Sequence, residues 1–348
     1  MFKPGFVAND RYLIEELIAP GGMGQVWKSV DNRLNRSVAL KTILPQYIKA
    51  NADALAIFKD EAKAGAALLG HPNIVGVLDV DQDIDIEYIV MEYIDGITVH
   101  QWIMDRNFLD PVTYFNTSLF IGLEICKGLD YAHKKGILHR DIKPLNSFIS
   151  NYGVIKVGDF GLARIINAST RAHTVKETMT YNYAAPEQWE NKPHTIKTDI
   201  YQLGCTLYEL FTGRSVFNLP LPAIAFAHIN TEPQPPKEVN PLIPKKISDM
   251  ILKALKKDQD ERAELWEIRD TLSEEIQFPY NIELNNFNEL SAITIEKIGD
   301  LLDIELSPNT KPPHVWTVPD YTEALSESIQ MILTGITDFR VYCPREED

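Results

Sequence analysis

The chain has 348 residues, 45% of them apolar and 24% charged, the make-up of a globular protein with room for about two domains. Its net charge of −15 argues against a nucleic-acid-binding surface, which needs clustered Lys and Arg. Cys126, Cys205 and Cys343 are too few and scattered for a disulfide framework or zinc site, the start MFKPGFVANDRY lacks the order of a signal peptide, and no run approaches the ~18 apolar residues of a membrane span, so the expected setting is cytoplasmic.

Residues 12–18 and 25–30 read as strands flanking a glycine-rich turn, and 37–43 as a third strand. Residues 53–69 follow a helical period with Leu55, Phe58, Ala62 and Leu69 toward one side. Gly70-His71-Pro72 ends that helix, and 74–80 and 88–93 read as two more strands. Beyond Gly96 the pattern becomes helical, over 114–134, 199–212 and 239–255. Cys126 and Cys205 fall within these apolar patterns and are expected to be buried. A β-rich lobe followed by a helical one puts a cleft near residues 92–96, a common place for a ligand.

Residues 281–348 carry 13 acidic against 4 basic residues. They predict two helices, over 294–302 and 321–333, and a short strand over 339–343. Asp320 with Glu323 reads as a capping pair, and Leu325, Ile329 and Ile332 share a face. Trp316, in a Pro-rich connector, is expected to anchor that connector to a folded surface.

Chemistry concentrates in HRDIKPLN at 139–146 and DFG at 159–161. Asp141 can accept a proton from an attacking hydroxyl, and Lys143 can neutralise charge on a transferring phosphoryl group. Asn146 and Asp159 supply the hard oxygen ligands that Mg²⁺ prefers. Upstream, Val38-Ala39-Leu40-Lys41 alternates with period 2, which puts Ala39 and Lys41 on one face. The turn Ala19-Pro20-Gly21-Gly22-Met23-Gly24 lets backbone N–H groups approach phosphates without a Cβ in the way.

In this order and spacing the motifs resemble a Ser/Thr protein kinase, and the run from residue 225 to 262 is especially similar to bacterial eukaryotic-like (Hanks-type) kinases. The resemblance covers residues 10 to about 275. It implies an α+β, bilobal protein-kinase fold: a β-rich N-lobe (1–94), a helical C-lobe (95–276) and a small C-terminal α/β extension (277–348). It implies ATP with Mg²⁺ (Mn²⁺ as the alternative), protein substrates, and autophosphorylation of the activation loop.

By the same resemblance Lys41 reaches the α- and β-phosphates and Glu61 pairs with it. Met91 is the gatekeeper, while the Glu92 carbonyl and the Ile94 N–H hold the adenine edge. Val26, Ala39 and Phe148 enclose the purine, and Ile18, Ala19, Gly21, Gly22 and Gly24 form the loop over the phosphates. Ala19 replaces the family's first loop glycine, which implies a stiffer turn.

Residues 162–184 correspond to the activation segment, with Thr174 ranked first as phosphosite ahead of Ser169, Thr170 and Thr178. Thr180 matches the threonine that touches the catalytic Asp and Lys, with Met179 where the family commonly has Gly. Arg140 and Arg164 match the cations that bind an added phosphate. Glu187 is expected to pair with Arg262, and Asp199 to hold the catalytic loop from behind.

Gly65 lies one turn after Glu61, where many kinases place a larger apolar residue stacked with Val77, His139 and Phe160. A gap there predicts a loosened helix, so that Lys41–Glu61 alignment depends on a partner, a homodimer contact or phosphorylation, and Gly65→Leu raises basal activity. The second functional reading is a kinase-like ATP-binding scaffold without catalysis. Lys41, Asp141 and Asp159 all being present favours the enzyme.

Overall fold

Residues 2–20, 24–50, 53–105, 111–160 and 181–276 are described by a computed structural model. Two compact units are formed, Met1–Phe148 with Ile155–Ile276, and Ile149–Val154 with Gln277–Asp348. Of the second, only the tight turn 149–154 is described. There the Ser150 hydroxyl oxygen accepts the N–H groups of Tyr152 and Val154, and Gly153 takes the left-handed φ of 73° that closes the turn. The helices and strand expected after residue 280, and Trp316, lie outside the described residues.

The first unit begins with an antiparallel sheet of β1 (Val7–Ala8), β2 (Tyr12–Pro20), β3 (Gly24–Asp31), β4 (Arg36–Ile43), β5 (Val77–Asp83) and β6 (Ile86–Glu92), in the order β1-β2-β3-β4-β6-β5. Its register sorts the side chains. Val26 lies opposite Lys41 and Ala39 opposite Met91, and directly opposed residues share a face. One face therefore carries Val26, Ala39, Lys41 and Met91. The other carries Tyr12, Ile14, Trp27, Leu40, Tyr88 and Val90, which close an apolar core with Phe2.

Two helices lie between β4 and β5: α1 (Pro45–Ala50), which periodicity did not predict, and α2 (Ala54–Ala67). Phe58 and Ala62 of α2 pack on Ile43 and Ile89, with Val77 and Met91 against the same cluster.

After β7 (Gly96–Thr98) come α3 (Val99–Met104) and α4 (Pro111–Lys134), then β8 (Ser147–Ser150) and β9 (Ile155–Val157). The chain continues through α5 (Pro186–Trp189), α6 (Ile196–Thr212), α7 (Ala223–Asn230), α8 (Pro236–Val239), α9 (Lys245–Ala254) and α10 (Leu265–Glu275). Every residue of α6 from Thr198 to Phe211 is buried, and Gly213 ends it at φ 73°. Cys126 and Cys205 are buried, as expected.

The helix expected over 239–255 is corrected. Its main body starts only at Lys245, after Pro244. Pro241 and Pro244 remove backbone donors and bias the residues before them to extended conformation, so the helix cannot run through them. No helix among the described residues is long and apolar enough to cross a membrane.

Candidate active site

Three elements bring Lys41, Glu61 and Asp159 together. The Lys41 ammonium donates to Glu61 Oε1 at 2.8 Å and to Asp159 Oδ1 at 2.9 Å. Lys41 sits on the sheet face just derived, Glu61 on the buried side of α2, and Asp159 follows β9 with a left-handed φ of 62°. Burial alone would lower the Lys41 pKa, but the Asp159 and Glu61 carboxylates outweigh it and hold it raised. Asp159 is pushed up by burial, yet the Lys41 charge and hydrogen bond bring it below the ordinary carboxylate range.

A second cluster surrounds Asp141. Lys143 Nζ donates to Asp141 Oδ2 at 2.7 Å. The Asn146 amide nitrogen donates to the same oxygen and to the Asp141 carbonyl, each at 2.9 Å. All three side chains belong to residues at most 9% exposed.

His139 ties the two clusters. The Gly158 carbonyl, 2.8 Å from Nε2, can only accept, so Nε2 carries the proton, and Nδ1 accepts the Asp141 N–H at 3.2 Å. This pattern needs a neutral ring, and burial does lower the His139 pKa. The ring also meets Phe160, with centroids 4.5 Å apart. The Asn146 carbonyl accepts the Gly158 N–H at 2.9 Å, so 139–146 and 158–160 form one locked unit.

Asp199 of α6 sits beneath it. Oδ1 accepts the Arg140 N–H at 2.7 Å, and Oδ2 accepts the His139 N–H at 2.9 Å. His133 Nε2, 2.8 Å from Oδ2, is a further partner. Sequence reasoning missed His133, although its place in the last turn of α4 was visible. It also missed Gln188 and Gln202, which bond the backbone around Asp141.

The expected Glu187–Arg262 pair is present and bidentate, 2.8 Å at each oxygen, with side chains 2% and 0% exposed. Thr198 donates to Glu187 Oε1 at 2.7 Å. Arg262 also donates to the Lys256, Lys197 and Lys257 carbonyls and stacks 4.9 Å from the Tyr201 ring centre.

The residues expected around a purine are placed as follows. Ala39 is buried, and Val26, Met91, Glu92, Ile94 and Phe148 are half-buried. Phe148 lies against Gly158, where a Cβ would stand 3.0 Å from its ring. The Glu92 carboxylate is engaged, accepting the Gly76 N–H at 3.3 Å and pairing with Lys156 at 3.0 Å. Ile18 and Ala19 are exposed near the end of β2. Gly24 faces the β4 backbone so closely that a Cβ would sit 1.9 Å from the Thr42 carbonyl oxygen. Gly21, Gly22, Arg164, Ser169, Thr170, Thr174, Thr178, Met179 and Thr180 lie outside the described residues.

The gap expected beside Gly65 is corrected. A Cβ there would be 2.4 Å from Val77 Cγ2. The β5 side chain fills the place, and the Lys41–Glu61 pair is already formed. Loosening of α2 does not follow from Gly65.

The sequence pattern of the protein kinase domain matches residues 12–272. A probable serine/threonine-protein kinase of Clostridium perfringens is 41% identical over 255 residues, 73% of this chain and 36% of that protein. The serine/threonine-protein kinase PrkC of Bacillus subtilis is 39% identical over 257 residues, 74% of this chain and 39% of that one. The chain thus spans less than half the length of these relatives. In structure it is similar to the PknI kinase domain of Mycobacterium tuberculosis, with TM-score 0.61 and 25% identity, covering 79% of this chain and 99% of that one. The bilobal fold is the one expected. With Lys41, Glu61, Asp159, His139, Asp141, Lys143 and Asn146 joined by hydrogen bonds and relatives aligned across most of its length, the chain belongs to the protein kinase domain family.

Proposed function

We propose that this protein is an ATP- and Mg²⁺-dependent protein Ser/Thr kinase that acts in the cytoplasm on protein substrates and phosphorylates its own activation segment. The observation that carries the reading is the junction of two charge clusters, Lys41–Glu61–Asp159 and Asp141–Lys143–Asn146, through His139. Phosphoryl transfer asks a protein mainly for positioning and charge stabilisation, and these groups supply both.

In this reading Asp141 accepts the proton of the substrate hydroxyl. Its Oδ2 is anchored by Lys143 and Asn146, which fixes the direction of the carboxylate. Lys41, aimed by Glu61, binds phosphate oxygens, and Lys143 neutralises charge on the group in transit. The donor set fits a hard cation: Asp159 is an ionised carboxylate, its side chain 25% exposed, and the Asn146 amide nitrogen is turned to Asp141, which leaves its oxygen as a ligand. Asn146 and Asp159 would hold Mg²⁺ (or Mn²⁺), which offsets phosphate charge when bound. Ile18, Ala19, Gly21, Gly22 and Gly24 cover the phosphates. Val26, Ala39, Met91, Glu92, Ile94 and Phe148 take the base.

The proposal divides the chain into lobes at 1–94 and 95–276, with 277–348 as an extension. It ranks Thr174 ahead of Thr170 and Thr178 for autophosphorylation, with Arg140 and Arg164 receiving the phosphate and Thr180 facing the catalytic pair. The test is incubation with Mg²⁺ and labelled ATP. Wild type should label itself or a generic protein substrate, Asp141→Asn should not, and site mapping should find the label within 162–184. A folded wild type that binds ATP and transfers nothing would leave the scaffold reading in its place.

A further inference from the structure

Two carboxamides grip the backbone on either side of Asp141. Gln202 lies one turn beyond Asp199 on α6, and residues three apart share a helix face. Its Oε1 accepts the Ile142 N–H at 3.0 Å, while its Nε2 donates to the Arg140 carbonyl at 2.8 Å. Gln188 of α5 donates to the same carbonyl at 3.1 Å and accepts from Gln202 Nε2 at 2.9 Å. Gln188 Oε1 also accepts the Ala185 N–H at 2.8 Å. Gln202 is 2% exposed, so each bond it makes is shielded from water.

The backbone held this way is in an uncommon conformation. Arg140 has φ 67°, a left-handed value that a side chain longer than glycine adopts only where its surroundings impose it. Asp199 fixes the N–H side of this residue, and the two glutamines fix its carbonyl. The next residue is Asp141. A carboxamide can serve a carbonyl and an N–H at once, whereas an ionised carboxylate cannot donate, an ammonium cannot accept, and an apolar side chain does neither.

We propose that Gln202 and Gln188 are positioning residues for phosphoryl transfer, holding Arg140 left-handed so that the Asp141 carboxylate is aimed, and linking the helix after Ala185-Pro186-Glu187 to the catalytic loop. The inference rests on the kinase reading above. Apart from the bond to each other, the hydrogen bonds given for the two glutamines are to backbone, so they act through Asp141.

The test uses the full chain, Mg²⁺-ATP and a generic protein substrate. Gln202→Met keeps the shape and removes all three bonds. It is expected to lower kcat on the order of 10- to 100-fold, the scale of a small misplacement of a reacting group, while KM for ATP stays within about twofold because the Lys41 cluster is untouched. Gln188→Met should give a smaller fall, and the double variant no more than Gln202→Met alone.

Gln202→Glu carries a chemical signature. Ionised, it cannot donate to the Arg140 carbonyl; protonated, it donates and accepts like the amide. Its activity relative to wild type should therefore rise as pH falls, which a loss of packing alone would not produce. If Gln202→Met does not fold, Gln188→Met and Gln202→Glu carry the decision. A folded Gln202→Met with wild-type kcat, or a Gln202→Glu ratio flat with pH, overturns the inference. Wild type inactive with Mg²⁺-ATP takes down the kinase reading and this inference with it.

Discussion

Gly65 of α2 and Val77 of β5 are fitted to each other: a β-carbon on the glycine would lie 2.4 Å from Val77 Cγ2 and 3.3 Å from its Cβ. The absent side chain on the helix is supplied by the branched one on the strand. Close approach at this point belongs to the same packing that leaves Glu61, one turn earlier, 2.8 Å from Lys41.

Gly65→Leu is therefore expected to lower activity, the reverse of what a gap would predict. Removing a mid-helix glycine gains roughly 1 kcal/mol of propensity, but forcing a side chain into a filled site costs about 1–3 kcal/mol and shifts backbone. The clash wins, and the shift falls on the helix that carries Glu61. Denaturant midpoints and KM for ATP should both worsen. Adding Val77→Ala, which vacates the site, should recover most of the loss.

The site was legible where chemistry dictates residue type. Asp141, Lys143, Asn146 and Asp159 are residue types suited to the phosphoryl transfer proposed here, and the alternation around Lys41 carries its own orientation. Glu187–Arg262 was expected from the family resemblance, and the structure shows the pair buried. What stayed hidden depends on neighbours distant in sequence. Val77 was expected beside Gly65, but nothing in the sequence says that its branched side chain fills the glycine's place, and Gln188 and Gln202 look like ordinary polar residues until their partners are seen to be backbone. The overlong helix at 239–255 arose from reading apolar period through Pro241 and Pro244. Gly24 was read as a phosphate-loop glycine, and its approach to Thr42 adds a second reason for the same residue.

That second reason predicts what Gly24→Ala does. With the added Cβ 1.9 Å from a backbone oxygen, no rotamer change can relieve the contact, so β3 must move from β4. Thermal stability should fall together with ATP affinity. A variant impaired in ATP binding with an unchanged melting temperature would mean that the turn, and not the strand pairing, sets the requirement.

Arg262→Ala should be among the most destabilising single changes in the helical lobe. It leaves the Glu187 carboxylate buried without its bidentate partner, and three backbone carbonyls lose a donor. Breaking a buried pair from one side costs about 3–5 kcal/mol. Glu187→Gln combined with Arg262→Met should cost less than Arg262→Ala alone, because no uncompensated charge remains. Urea denaturation of the three proteins checks the order.

Glu61 sets the expected pH dependence. Burial is the largest influence on it and pushes its carboxyl up from the ordinary 4.5 to about 7, against the pull of Lys41. Lys41 is held raised and stays charged across neutral pH, so Glu61 is the member of the pair that titrates there. Between pH 4.5 and about 7 the folded chain keeps a proton at Glu61 that the unfolded chain releases. The stability this gives is full below 4.5 and lost as pH rises through about 7. Activity should run the other way: a protonated Glu61 no longer draws the Lys41 ammonium by charge, so kcat/KM for ATP should fall as pH drops through about 7. Glu61→Gln can still accept a hydrogen bond from Lys41 but cannot ionise, so it should be less active and show no such limb. Profiles over roughly pH 5.5–8.5 decide it, and a limb that persists unchanged in Glu61→Gln would assign the titration to another group.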